Sequence, residues 1–126
     1  MLLYVTLGTN DLPRARTFYD PVLAMLSLAL IHDSADELGY GPPGGDIIRL
    51  YVTKPYDKAK ASHGNGSMLA FDAASRGVVD AFYAAALAHG GTDEGGPGLR
   101  YSPHFYSCYV RDPDGNKLSA VCDKPE

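Results

Sequence analysis

The sequence predicts an α+β fold: two βαβββ modules forming a curved mixed sheet around a cleft, with helices on the outer face. Three observations carry this reading. The chain repeats itself, each half orders its elements in the same way, and the strands show one apolar face and one mixed face.

The repeat comes first, because a missed repeat misassigns the fold. "YVTLGTNDLPRARTFYDPVL" from Tyr4 aligns with "MLAFDAASRGVVDAFYAAAL" from Met68, an offset of 64. At that offset Phe18 falls on Phe82, Tyr19 on Tyr83 and Leu23 on Leu87, and Asp11 and Ser75 stand as matching helix caps. The ends match as well. "GPPGGDIIRLYV" and "RDPDGNKLSAV" place Gly45 on Gly115 and Arg49 on Ser119, an offset of 70. The change in offset implies about six extra residues in the second half, around "GGTDEGGPGLR".

The elements follow in order. Leu2 to Gly8 reads as a strand. Asp11 caps a helix running to about Ser27, with Pro13 tolerated in its first turn and Pro21 expected to kink it. Leu12, Ala15, Phe18, Tyr19, Val22, Leu23 and Leu26 form its apolar stripe. Strands are expected near Leu28 to His32, Glu37 to Gly41 and Asp46 to Lys54. "YDKAKASHGNG" is a polar linker. In the second half Ser67 to Asp72 is a strand and Arg76 to His89 a helix ended by Gly90 and Gly91. Strands follow around Gly91 to Asp93, His104 to Arg111 and Asn116 to Cys122. The chain is one domain, 1–126: module one 1–57, linker 56–66 and module two 67–126.

Bulk properties exclude several classes. A chain of 126 residues, 45% hydrophobic and 21% charged, suits one globular domain. Net charge is −4 and there is no basic run, so no nucleic-acid partner is expected. No apolar run approaches a membrane span, and the N-terminus lacks a signal-peptide pattern, so the expected location is the cytoplasm. Cys108 and Cys122 are too few for a disulfide scaffold and read as reduced thiols.

Strand alternation sorts the faces. One face carries Leu3, Val5 and Leu7, then Ile48, Leu50 and Val52, then Leu69 and Phe71, then Leu118, Ala120 and Cys122. Helices should pack there. The other carries Tyr4, Thr6, Arg49, Tyr51, Met68 and Ser119, which suits a wet, partly aromatic cleft.

"YVTLGTNDLPRARTFYDPVL" and "YVRDPDGNKLSAVC" resemble the opening and closing segments of the vicinal oxygen chelate superfamily. That superfamily holds glyoxalase I, extradiol dioxygenases, and fosfomycin and bleomycin resistance proteins, and the resemblance spans essentially the whole chain. It implies a divalent metal held by residues of the first and last strands of each module. The corresponding positions here are Tyr4, Arg49 or a neighbour of it, Met68 and Ser119, the last in a "DPDGN-x-x-E" context where Glu is common. None is an ordinary ligand, and Arg repels a cation. No metal cofactor is therefore expected.

Arg49 with Tyr4 and Tyr51 suits an anionic ligand. Thr6, Met68, Tyr106 and Ser119 complete the expected ligand-binding set. His104, in "RYSPHFYSCYV", is the one candidate acid/base, in a polar cluster with Tyr101 and Tyr106. A rim position after Pro103 is its plainer reading. Two functions remain. One is a metal-free small-molecule-binding protein of unknown ligand. The other is a glyoxalase- or dioxygenase-like enzyme with displaced ligands or metal-free acid/base catalysis. The resemblance further implies a homodimer.

Overall fold

Both helices begin and end alike. A computed structural model describes residues 1–126. Helix α1 spans Leu12–Ala24 and α2 spans Arg76–Ala88. The Asp11 carboxylate accepts the Arg14 N–H at 3.0 Å, and the Ser75 hydroxyl accepts the Val78 N–H at 3.2 Å. Each side chain satisfies a backbone donor that has no helical partner. At the other end Leu28 N–H donates to Leu23 O and Gly91 N–H to Ala86 O, past left-handed residues at Ser27 (φ 58) and Gly90 (φ 100). This is one terminating motif used twice. Pro21 lies inside α1 without ending it.

The strands are β1 Val5–Gly8, β2 Ala29–Asp33, β3 Glu37–Gly41, β4 Leu50–Thr53, β5 Leu69–Asp72, β6 Thr92–Leu99, β7 Phe105–Arg111 and β8 Lys117–Asp123. They form two four-stranded sheets, β1-β4-β3-β2 and β5-β8-β7-β6, rather than one. In each, the outer two strands of the module pair in parallel and the others antiparallel. The βαβββ repeat is therefore real. β6 is much longer than expected, and shifts of register carry its Gly-rich run past β7. A glycine-rich strand has little propensity to announce it.

The ladders revise the repeat. Val5 sits beside Leu50 and Leu69 beside Leu118. With β1 and β5 offset by 64, β4 and β8 are then offset by 68, from Leu50 to Leu118. Ser119 thus corresponds to Tyr51, not to Arg49, and four extra residues intervene rather than six. Turn similarity misled the alignment, because the two Gly-containing turns differ in length.

A core of 19 buried residues lies between helices and sheets. Phe18, Tyr19, Val22 and Leu23 of α1 and Val79, Phe82 and Ala86 of α2 pack on Leu38, Tyr40, Leu50, Val52, Cys108, Val110, Leu118 and Ala120. The helices also touch each other. Ile48 leaves the expected helix side: a Cβ on Gly39 would lie 2.8 Å from its Cδ1. The chain before β4 is not yet in strand conformation there, so alternation does not apply. Leu3 likewise precedes β1 and is exposed. No helix is long and apolar enough to cross a membrane.

The modules are fastened at the turn after β7. Asp114 accepts the Thr9 hydroxyl at 2.5 Å, the Asn10 N–H at 3.0 Å and Arg14 Nη2 at 2.8 Å. Asn116 Nδ2 donates to Gly8 O at 3.1 Å. Asn10 also clamps the linker, donating from Nδ2 to Ala61 O and accepting the Ala61 N–H at 2.7 Å.

Candidate functional site

Each sheet covers one face with its helix and leaves the other open. On the first sheet Thr6 and Tyr51 are ladder neighbours, and Glu37 and Thr53 are ladder neighbours on the same face. The Tyr4 ring meets Tyr51 edge-on, centroids 5.0 Å apart, and His32 approaches Tyr51 at 6.4 Å. His32 Nε2 lies 3.3 Å from Glu37 Oε1.

The linker after β4 crosses one side of this face and encloses a cavity of about 1070 Å³. Its floor includes Tyr4, Thr6 and Thr53, and its wall carries Lys54, Lys58 and Lys60. No lysine of the chain forms an ion pair, whereas four arginine–carboxylate contacts are made. Asp36 and Glu37 also border the cavity, so its charge is mixed with one cation in excess. The Asn10 clamp to Ala61 fixes the far end of the linker, and the Thr53 hydroxyl donates to Asp36 O at 3.1 Å near its start.

The remaining expected residues scatter. Arg49 donates from Nη1 to Leu3 O at 3.1 Å and does not line this cavity. Met68 is exposed and borders a smaller cavity of about 340 Å³ between the modules, together with Thr6 and Lys117. Tyr106 faces α2, donating to Asp80 at 2.7 Å, because it is the ladder partner of Cys122 on the helix side. That hydrogen bond, chiefly, raises its hydroxyl pKa. Tyr106 and His104 therefore form no cleft cluster: His104 is an exposed residue of the turn before β7. Tyr101, in the same turn, contacts Phe105 edge-on at 5.3 Å.

Ser119 is fully buried, and its Oγ has no hydrogen-bond partner. A sealed, unpaired hydroxyl costs about 1–3 kcal/mol. Its ladder neighbours are Ala70 and Tyr109. Met68 precedes β5 and is not a ladder neighbour of Ser119. The residues at the metal-ligand positions therefore do not fit a divalent cation: the Tyr4 phenol, the exposed Met68 thioether, the sealed Ser119 hydroxyl and either Arg49, bound to a carbonyl, or Tyr51, its replacement in the revised repeat, offer no carboxylate, imidazole or thiolate. Nowhere do three His, Cys, Asp or Glu side chains converge in a way that suits a metal ion.

Sequence reasoning missed Arg100, Ser107 and Tyr109 on the second open face, whereas alternation along the last strand already puts Lys117 there beside Ser119. Alternation along β7 would have found Tyr109, since Cys108 and Val110 face the core. Arg100 follows a glycine-rich strand that the pattern did not reveal.

Two repeated βαβββ units, each with a parallel outer pair and one open face, define the fold class. The sequence profile of the Glyoxalase/Bleomycin resistance protein/Dioxygenase superfamily matches residues 1–119, and the chain belongs to that superfamily. The crystal structure of a glyoxalase/bleomycin resistance protein from Albidiferax ferrireducens T118 is 40% identical, with a TM-score of 0.88 over 99% of each chain. A glyoxalase-related enzyme from Fulvimarina pelagi is 21% identical (TM-score 0.75, covering 97% of this chain and 88% of that one). A fosfomycin resistance protein from Listeria monocytogenes, crystallised with Mn(II) and sulfate, is 17% identical (TM-score 0.73, covering 98% and 90%). The last two likenesses concern the fold alone. No curated protein sequence matches the chain.

Proposed function

We propose that the chain is a small-molecule-binding protein whose ligand is an anion held over the open face of the first sheet, without a family-type metal. The observation that carries this reading is the cavity of about 1070 Å³ with three unpaired lysines in its wall. Its size suits a small organic molecule. Tyr4 supplies an aromatic floor, and Thr6 and Thr53 supply hydroxyls. A second copy of the chain is proposed to cover the exposed Leu2, Leu3 and Met68, since exposed apolar side chains are the ones a partner surface would bury. Buried thiols at Cys108 and Cys122 suit a reducing compartment such as the cytoplasm.

Thermal unfolding with a panel of carboxylates and their matching amines tests the reading. Carboxylates raise Tm and amines do not, and replacing Lys54, Lys58 and Lys60 by Gln removes the shift. Equal stabilisation by amines contradicts an anionic ligand.

A further inference from the structure

Two steps of the chain join Asn or Asp to a glycine: Asn65–Gly66 in the linker and Asp114–Gly115 in the turn before the last strand. At such steps a main-chain nitrogen reaches the preceding side-chain carbonyl most easily, because glycine puts no Cβ in the way. The fold treats the two in opposite ways.

Asp114–Gly115 is sealed. The Asp114 side chain is 3% exposed and accepts from Thr9, Asn10 and Arg14. The Gly115 N–H donates to Asp112 O at 3.0 Å. The nitrogen is occupied and the carboxylate is held.

Asn65–Gly66 is open. Both residues are exposed. The Ser67 N–H donates to Gly64 O at 3.1 Å, so Asn65 and Gly66 are the central residues of a turn, with Gly66 left-handed (φ 94). The Gly66 N–H makes no hydrogen bond within the protein. Chain neighbours aside, no atom lies within 4 Å of the place a Cβ on Gly66 would take. The other two asparagines of the chain are tied. Asn10 bonds to Ala61 through both atoms of its amide, and Asn116 Nδ2 donates to Gly8 O and to Asp112. Asn65 alone keeps a free amide.

We propose that Asn65 is a site of spontaneous deamidation and isomerisation, selected by the fold from the asparagines of the chain. The Gly66 nitrogen gives up its proton and bonds to Asn65 Cγ. The Cγ–Nδ2 bond breaks, ammonia leaves with that proton, and a cyclic succinimide forms. Water then opens the ring. Attack at Cγ gives aspartate on the native backbone. Attack at the main-chain carbonyl carbon gives isoaspartate, whose backbone runs through the side chain.

Both products change the joint between the modules. Each adds a carboxylate and takes the net charge of −4 one unit lower. Isoaspartate also adds one backbone carbon between Gly64 O and Ser67 N, which undoes their hydrogen bond. That change falls between two fixed points, Ala61 on its Asn10 clamp and Leu69 on its ladder with Leu118. The modified stretch continues the linker that carries Lys54, Lys58 and Lys60.

Ageing the whole chain at mildly alkaline pH, followed by peptide mass mapping, tests this. Isoaspartate is counted by transfer of a labelled methyl group from a protein-isoaspartate methyltransferase. Asn65 converts to a mixture of aspartate and isoaspartate, within about tenfold of its rate in urea, while Asn10 and Asn116 must first open and trail it by about tenfold or more. Asn65→Gln removes the isoaspartate signal. An Asn65 that keeps its amide when folded yet loses it in urea overturns the proposal. So does conversion of Asn10 or Asn116 at the pace of Asn65, or an isoaspartate count that Asn65→Gln leaves unaltered.

Discussion

The hydroxyl of Tyr19, in the first helix, donates at 2.5 Å to the carboxylate of Asp112, 93 residues later in the turn that opens the last strand. Both residues are buried. Asp112 also accepts the backbone N–H groups of Asp114 and Asn116 and the Asn116 amide, each at 2.9 Å. The turn is thereby folded around one carboxylate, and that carboxylate is tied to the other module. Tyr19→Phe removes a buried donor and keeps the ring's packing, so it should lower unfolding free energy by about 1–3 kcal/mol in urea melts. An unchanged midpoint would place the strength of the junction elsewhere.

The same pair makes stability fall at alkaline pH. Burial first, then the Asp112 charge, raises the Tyr19 pKa well above its ordinary 10.0. The folded state thus binds this proton more tightly than the unfolded chain. The contribution is complete below pH 10.0 and is lost as pH rises from there toward the folded-state value. Tyr40, raised by burial and its bond to Asp20, adds to the trend. Stability profiles from pH 8 to 11 should decline above about 10 and decline less steeply in Tyr19→Phe.

Asp114 should hold the modules together. Its side chain is almost wholly buried and accepts from Thr9, Asn10 and Arg14. Asp114→Ala leaves three donors without their acceptor and should cost about 2–4 kcal/mol. Chemical denaturation followed by both tyrosine fluorescence and far-UV circular dichroism should then show transitions that no longer coincide, as the modules uncouple.

Cys108 should be inert in the folded protein. Burial pushes its thiol pKa up to about 11, so the reactive thiolate is scarce at neutral pH. Iodoacetamide at pH 8 should modify it only after unfolding. Rapid native labelling would mean that the strand pair opens around it.

Two glycines of β3 should answer differently to alanine. At Gly41 a Cβ would meet Ile47 O at 1.9 Å, a backbone atom that cannot step aside. At Gly39 the obstacles are the tip of Ile48, at 2.8 Å, and His32 Cβ. Gly41→Ala should be destabilised by about 1–3 kcal/mol or more, with Gly39→Ala the milder change, measured by thermal melts of both.

Much of the fold was legible because its signals are local. The caps at Asp11 and Ser75, the stripe through Phe18 and Val22, and alternation around Leu50 and Leu118 each depend on a few neighbouring residues. The long β6 was not legible, since its glycines carry no side-chain pattern. The site was less legible still. Tyr4 and Thr6 do line the large cavity, but its lysines lie in a linker whose path is set by the Asn10–Ala61 bonds. Tyr106 was placed on the wrong side of its strand, because alternation had not been carried through β7. The tie between Tyr19 and Asp112 spans the chain and leaves no periodic trace.

Titration calorimetry with benzoate on exhaustively chelated protein, wild type beside the Lys54, Lys58 and Lys60 to Gln variant, tests the central claim most directly. The account predicts that chelated wild type binds the anion and that the variant loses at least part of that heat. Binding that disappears on chelation and returns with one equivalent of Zn, Ni, Mn or Fe would contradict it.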